Sequence, residues 1–152
     1  DPRPLGFDAA CEFPPHQVLR KEITDEMRVS NPDFVGSILD YEVAVGGELE
    51  KPEPDYKLFR STMLSWDNTA RNQDGPRVFE RFSIPLYRKW LSHLCSQTLA
   101  RPKYAPDEKI VFINAWNEWA EGTHLEPDRK FGFAYLQATY DALAELEAST
   151  KL

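Results

Sequence analysis

The amino-acid sequence predicts an α/β fold, the C-terminal half of a (β/α)8 TIM-type barrel in which parallel strands alternate with helices. Two observations support this prediction. Strand-like apolar segments alternate with helix-like stretches, a pattern typical of parallel β/α units. Polar residues follow three of the four predicted strands, at the carboxyl ends where such barrels carry their reactive groups.

Each predicted strand is short, apolar and followed by residues that end strands. The first is stopped by Pro14 and Pro15, the second runs into Gly46 and Gly47, and the third precedes a polar loop. The fourth is almost continuously apolar, as expected for a strand covered on both faces. The predicted strands are 5–13, 33–45, 57–66 and 109–116.

Two amphipathic helices are predicted between and after these strands. From Pro85 to about Ala100, leucines and Trp90 recur at helical spacing. From Phe131 to Ala148, apolar residues again fall on one face. The alternation of strands and helices spans the whole chain. We therefore expect residues 1–152 to form a single domain, a C-terminal fragment of a longer barrel.

Composition narrows the classes of partner. The net charge of -7 argues against a nucleic-acid binder, but it does not argue against a sugar. Cys11 and Cys95 form neither a disulfide framework nor a zinc pair. No apolar stretch is long enough to span a bilayer, and no glycine-rich phosphate loop is present. We expect a cytoplasmic protein with no membrane span, no cofactor and no metal.

The stretch NAWNEWAEGTHLEP, residues 114–127, contains the strongest functional signal. Glu118 and Glu121 share a face if the chain turns helically after the fourth strand. If the chain stays extended there, the two side chains point to opposite faces. A carboxyl pair can supply the acid and the base that cleavage of a glycosidic bond requires. We therefore predict that Glu118 and Glu121 are catalytic.

Aromatic and amide side chains around this pair suit a sugar. Indole rings offer flat apolar surface to sugar C–H groups, and amides hydrogen-bond with hydroxyl groups. The tryptophans can equally be core residues, Asp67 and Arg71 can pair with each other, and His16 can be an ordinary loop residue. The predicted substrate-binding residues are His16, Tyr41, Trp66, Asp67, Asn68, Arg71, Trp116, Asn117, Trp119, His124 and Glu126.

A metal site is the main competing hypothesis. Glu118, Glu121 and His124 are spaced three apart, as ligands on one helical face would be. Gly122 and Thr123 weaken a helix at that point, and the three histidines do not cluster in the sequence. A metal-dependent hydrolase therefore stays the less favoured interpretation.

The run FINAWNEWAEGTHLEPDRKFGFAYLQAT resembles the C-terminal signature of the WbsX-type glycosyltransferases. That family is associated with lipopolysaccharide O-antigen and other surface polysaccharides. MLSWDNTAR, GFDAACEFPPH and ILDYE resemble further blocks of the family in the same order. The resemblance implies a glycosyltransferase whose carbohydrate substrate is an oligosaccharide or polysaccharide.

The same block is similar to the endo-α-mannosidase family of glycoside hydrolases, which carries an N-E-W-x-E-G-T motif. This resemblance implies that Glu118 is a base acting on the sugar 2-hydroxyl and that Glu121 is the acid that protonates the leaving oxygen. The sequence departs from that motif at Ala120 and His124. Transfer, hydrolysis and non-catalytic sugar binding all remain open.

Members of these families are much longer than this chain. About four strands cannot close a barrel, so strand edges and an apolar inner face would be exposed. We therefore expect the partner of this chain to be a missing N-terminal half of the barrel, or a second copy bound through the exposed edges. We also expect the isolated chain to be inactive or to bind sugar poorly.

Overall fold

In the computed structural model, residues 1–150 are described, with side chains described for residues 1–148, and they form a mixed α/β fold. The helices are α1 Tyr41–Glu50, α2 Ile84–Ala100 and α3 Ala134–Thr150. The strands are β1 Ala10–Cys11, β2 Ser37–Asp40, β3 Leu58–Phe59, β4 Ser61–Met63, β5 Trp66–Asp67, β6 Arg77–Glu80, β7 Phe112–Asn114, β8 Asn117–Glu118 and β9 Thr123–His124.

The central row of the fold consists of parallel strands from three parts of the chain. β1 pairs with β3, and β4 pairs with β7. Only Arg60 separates β3 from β4, and the two strands bond along opposite edges. The Phe59 carbonyl accepts a hydrogen bond from the Glu12 N–H, and the Arg60 carbonyl accepts one from the Phe112 N–H. The run from β3 to β4 therefore lies between β1 and β7.

A second sheet lies beside this row, with β6 between β2 and β5. β2 runs parallel to β6, and β5 runs antiparallel to it. In a barrel whose strands follow chain order, the second predicted strand would lie between the first and the third. Here β1 pairs directly with β3, so β2 lies in the second sheet instead. β6 was missed in the sequence because Phe79 is its only fully buried residue, which is too little alternation to reveal a strand.

The predicted strand 33–45 is right for Ser37–Asp40 and wrong from Tyr41 onward, where α1 begins. Asp40 caps this helix, because its carboxylate accepts hydrogen bonds from the backbone N–H groups of Glu42 and Val43 at 2.9 and 3.3 Å. Such a cap satisfies donors that otherwise lack partners in the first turn. The local cap thus outweighs the β-branched character of the segment.

Gly46 and Gly47, which the sequence suggested as a break, lie inside α1. Gly47 is explained by packing: a Cβ at this position would lie 2.6 Å from the Cβ of Leu19. The missing side chain therefore lets the N-terminal segment approach the helix.

The two predicted helices are confirmed as α2 and α3. Ser83 caps α2, since its Oγ accepts a hydrogen bond from the Leu86 N–H. α3 begins later than predicted because Gly132 adopts a left-handed φ of 57°. The two helices pack together around Tyr87 of α2 and Tyr135 of α3, both buried.

Among residues 1–150 the strands form separate small sheets and no closed barrel. The strand segments are also shorter than the sequence suggested. The described residues include no helix with the length and apolar character needed to cross a membrane.

A buried ion-pair network joins the central row to α1. Arg60, with no exposed surface, donates to Glu12 at 2.7 Å and to Glu48 at 3.0 Å. Lys51 pairs with the same two carboxylates at 2.8 and 3.0 Å. Burial lowers the pKa of Arg60, but the charges and hydrogen bonds of Glu12 and Glu48 raise it above its ordinary value. The guanidinium therefore stays charged and fixes α1 against β1 and β3.

We expect Arg60→Met to lower the free energy of unfolding by about 3–5 kcal/mol, because two buried carboxylates would retain only Lys51 as a cationic partner. Urea denaturation followed by tryptophan fluorescence measures the change. Arg20→Met is the control, since Arg20 is exposed and its replacement should change stability by no more than about 0.5 kcal/mol. Equal unfolding midpoints for the two variants would contradict this role of Arg60.

Both outer strands of the central row have an open edge. Among the described residues β1 pairs only with β3, and β7 pairs only with β4. Phe13, just after β1, is 57% exposed, and Phe112 in β7 is 45% exposed. Unpaired edges with exposed aromatic side chains favour association with another polypeptide segment.

We expect the isolated chain to self-associate through these edges, and Phe112→Lys to weaken the association by adding charge to an open strand. Sedimentation velocity across a concentration series measures the effect. Phe133→Lys is the matched control, because Phe133 is exposed but lies outside the strands. If both variants associated as the parent chain does, the edge of β7 would not be the contact.

Candidate functional site

Glu118 and Glu121 lie on a tight turn that follows the central row. After β7 the chain forms β8, a 3-10 helix at Trp119–Glu121, and β9, which pairs antiparallel with β8. The chain therefore turns helically between the two glutamates, the condition under which residues three apart share a face.

The turn is anchored to β5 by close backbone packing. Gly122 adopts a left-handed φ of 62°, and a Cβ there would lie 3.0 Å from the backbone nitrogen of Asp67. Ser65 also donates a hydrogen bond from its Oγ to the Gly122 carbonyl at 2.6 Å. Glycine satisfies both the backbone conformation and the close approach.

Both glutamates line one cavity of about 420 Å³. This volume is within the range typical of small-molecule sites. The walls come from segments at the carboxyl ends of β1, β5 and β7 and from the turn itself. The lining residues are Phe13, His16, Trp66, Arg71, Asn114, Ala115, Glu118 and Glu121.

Arg71 bridges the two glutamates. Its Nη1 lies 3.4 Å from Glu121 Oε1 and 3.9 Å from Glu118 Oε2. The Glu121 side chain is the less exposed of the two, at 18% against 39%. The carboxylates therefore converge on a common point and differ in their access to solvent.

Asp67 and Asn68 order the loop that carries Arg71. Asp67 accepts a hydrogen bond from the Thr69 N–H at 2.9 Å, and Asn68 accepts one from the Arg77 N–H at 2.6 Å. The two residues do not line the cavity. Arg71 forms its ion pairs with the glutamates, not with Asp67. Asp67 and Asn68 therefore stabilise the loop that carries Arg71.

Of the other predicted binding residues, His16 and Trp66 line the cavity, and the Phe13 and His16 rings stack with centroids 5.9 Å apart. Phe13 and Asn114 were missed. Asn114 is the last residue of β7 and donates from Nδ2 to the Pro14 carbonyl at 2.6 Å. Phe13 follows β1 and Asn114 ends β7. Both therefore lie at the carboxyl ends of strands in the central row, as the glutamates do.

Three predicted binding residues form a separate cluster. Trp119 stacks on His124 with ring centroids 3.8 Å apart, and its Nε1–H donates to Glu126 at 2.7 Å. These side chains do not line the glutamate cavity. The tryptophan between the glutamates therefore points away from them, because successive residues of a 3-10 helix project in different directions.

Tyr41, Trp116 and Asn117 also lie outside the glutamate cavity. Tyr41 has no exposed surface, and its hydroxyl donates to the Met63 carbonyl at 2.9 Å, so it belongs to the core. Burial raises the pKa of Tyr41 well above its ordinary value. Trp116 and Asn117 are exposed. The prediction for Tyr41 is corrected by its burial as the first residue of α1.

Within residues 1–150, no three His, Cys, Asp or Glu side chains are grouped so that they could hold a metal ion. Glu118, Glu121 and His124 do not meet, because His124 Nε2 is hydrogen-bonded to Asp128 Oδ2 at 2.9 Å. The i, i+3 spacing in the sequence therefore does not become a ligand set.

Two carboxylates in a cavity with aromatic walls are typical of proteins that act on carbohydrates. Comparison with known proteins agrees with this class, since residues 1–139 match the family described as glycosyltransferase WbsX. The chain belongs to that family.

Two curated relatives are each called "Uncharacterized protein WxcX" and come from two strains of Xanthomonas campestris pv. campestris. They are 43% and 42% identical to the chain over 143 residues. Each alignment covers 94% of the chain and 20% of the relative, so the chain spans about a fifth of the length of these relatives. No solved structure matches the chain.

We expect Gly122→Ala to lower the free energy of unfolding by about 1–3 kcal/mol, because the new Cβ would strain a left-handed residue and press on the backbone of Asp67. Thermal or urea unfolding measures the change. Gly75→Ala is the control, because a Cβ there meets no atom within 4 Å. A Gly122→Ala variant as stable as the control would show that β5 does not hold the turn in place.

Proposed function

We propose that the chain is a domain of a carbohydrate-active enzyme that acts on a glycosidic bond in the synthesis of a surface polysaccharide such as lipopolysaccharide O-antigen. The observation that carries the proposal is the convergence of Glu118 and Glu121 on one cavity, with Arg71 Nη1 within 4 Å of both. Membership of the WbsX family supports a saccharide substrate.

The central row of β1, β3, β4 and β7 is, in this proposal, one wall of a (β/α)8 barrel. Its strands are parallel, and Phe13, His16 and Asn114 reach the cavity from their carboxyl ends. Reactive groups of such barrels lie at that end. The remaining wall would come from polypeptide that covers the open edges of β1 and β7.

The two glutamates take different roles. Following the resemblance to endo-α-mannosidases, Glu118 removes the proton from the sugar 2-hydroxyl, which attacks its own anomeric carbon. Glu121 protonates the leaving oxygen as its bond to the anomeric carbon breaks, and afterwards takes the proton of the acceptor hydroxyl, whose oxygen attacks that carbon. The bond from the anomeric carbon to O2 then breaks, and Glu118 returns its proton to O2. An acid and a base placed in this way typically contribute about 10²–10⁴-fold in rate.

The acceptor decides between transfer and hydrolysis. A retaining site passes the sugar to whichever hydroxyl group is better held next to the base. The stacked rings of Phe13 and His16 provide an apolar surface for a second sugar. We therefore propose transfer to a saccharide, in keeping with the family.

Non-catalytic sugar binding is the second candidate function. The observation in its favour is the pairing of Arg71 with both glutamates, since carboxylates held in ion pairs are less available for proton transfer. In this alternative the glutamates only accept hydrogen bonds from sugar hydroxyl groups.

We expect Glu121→Gln to reduce kcat about 10²–10⁴-fold with glycan affinity nearly unchanged, because the amide cannot supply the proton. The variant is made in the longest gene product that contains the chain. Sugar transfer or release from labelled oligosaccharides is measured beside calorimetric binding.

Glu80→Gln is the control, since Glu80 is an exposed residue of β6 outside the cavity, and it should keep full activity. Binding without any turnover in the parent protein would favour the second function. Full turnover by Glu121→Gln would remove Glu121 from the mechanism.

A further inference from the structure

A second cavity, of about 780 Å³, lies beside the turn that carries the glutamates. Trp119 and His124 contribute to its wall, and it shares no lining residue with the glutamate cavity. Trp119 stands between Glu118 and Glu121 in the sequence. The turn therefore presents its carboxylates to one cavity and its indole to the other.

The indole in this cavity is held in place but remains accessible. Trp119 is 50% exposed, although its ring stacks on His124 with an interplanar angle of 19° and its Nε1–H donates to Glu126. His124 is held in turn by Asp128 through Nε2, and its ring meets the Tyr135 ring edge-on with centroids 5.7 Å apart. A flat ring fixed before binding loses little conformational entropy when a ligand stacks on it.

Two adjacent cations stand at the same cavity. Arg129 and Lys130 both line it and are exposed. Arg129 forms no ion pair with any residue of the described part of the chain, and Lys130 lies over the Phe131 ring at 4.7 Å. The neighbouring Asp128 carboxylate is occupied by His124 and by the backbone N–H groups of Lys130 and Phe131. Among the residues that line the cavity, Arg129 and Lys130 outnumber the Asp128 carboxylate, and the Glu126 carboxylate beside them is bound to the indole N–H. In a chain with a net charge of -7, Arg129 is therefore a cation left available to an anionic ligand.

We propose that this cavity is a subsite for an anionic sugar unit, with the sugar ring stacked on Trp119 and its anionic group bound by Arg129. A guanidinium binds a carboxylate or a phosphate through paired hydrogen bonds, and an indole packs against the C–H face of a pyranose. The inference rests on the proposed function, because it treats this unit as part of the glycan that reaches the glutamates. The inference goes beyond that function by predicting that the glycan carries an acidic sugar.

The test is a titration of the longest gene product that contains the chain, labelled with fluorotryptophan, following the ¹⁹F signal of Trp119, which is assigned by its loss in Trp119→Phe. The probes are methyl glucuronide, the neutral methyl glucoside and glucose 6-phosphate. We expect methyl glucuronide to shift the Trp119 signal and to bind roughly tenfold more tightly than methyl glucoside, since a hydrogen bond to a charged group contributes about that much. Arg129→Ala should abolish the preference.

Arg20→Ala is the matched control, because Arg20 is also exposed and lies outside both cavities. It should keep the preference. A shift with glucose 6-phosphate but not with methyl glucuronide would support the anionic subsite and identify phosphate as the anion. Equal affinity for the charged and neutral sugars, or an unchanged preference in Arg129→Ala, would overturn the proposal.

The titration measures binding, so its result is independent of turnover. Repeating it with Glu121→Gln separates the two proposals. Loss of turnover together with retained binding of methyl glucuronide supports both. A parent protein without any activity that still prefers methyl glucuronide supports the subsite and contradicts the enzymatic function.

Discussion

The arrangement of the fold depends on the buried guanidinium of Arg60. The residue stands where β3 passes into β4, and its partners Glu12 and Glu48 come from the end of β1 and from α1. A buried ion pair adds little net stability, but a carboxylate left without its cation is costly. The network therefore specifies one position of α1 against the central row. Phe13 follows Glu12 directly, so the same network positions one wall of the glutamate cavity.

The candidate site is assembled from pieces that are local in the sequence but joined by distant contacts. Gly122 and Ser65 fasten the turn to β5, and Arg71 closes the cavity from the loop after β5. Each contact joins residues about fifty positions apart in the chain. The glutamates consequently depend on β5 for their orientation, although their motif lies at the end of β7.

The sequence was informative where a pattern was long or dense. The helical spacing of α2 and α3 and the polar stretch after β7 could be recognised without coordinates. The sequence did not reveal that Tyr41 begins a helix. The choice between strand and helix depends on a single cap, the Asp40 carboxylate, and nothing in the sequence distinguishes this aspartate from the others. The separation of Trp119 from the glutamates, and the pairing of Arg71 with them, are set by tertiary geometry that the spacing of residues does not express.

The short 3-10 helix between the glutamates has an evolutionary consequence. A residue inserted or deleted within 118–121 would rotate everything after it, so an acidic side chain and the indole would exchange the sides they face. Point substitutions can tune one side of the turn at a time, whereas a change of length would disrupt both at once. Among homologues, the spacing of this segment should therefore be more constant than the identity of its individual residues.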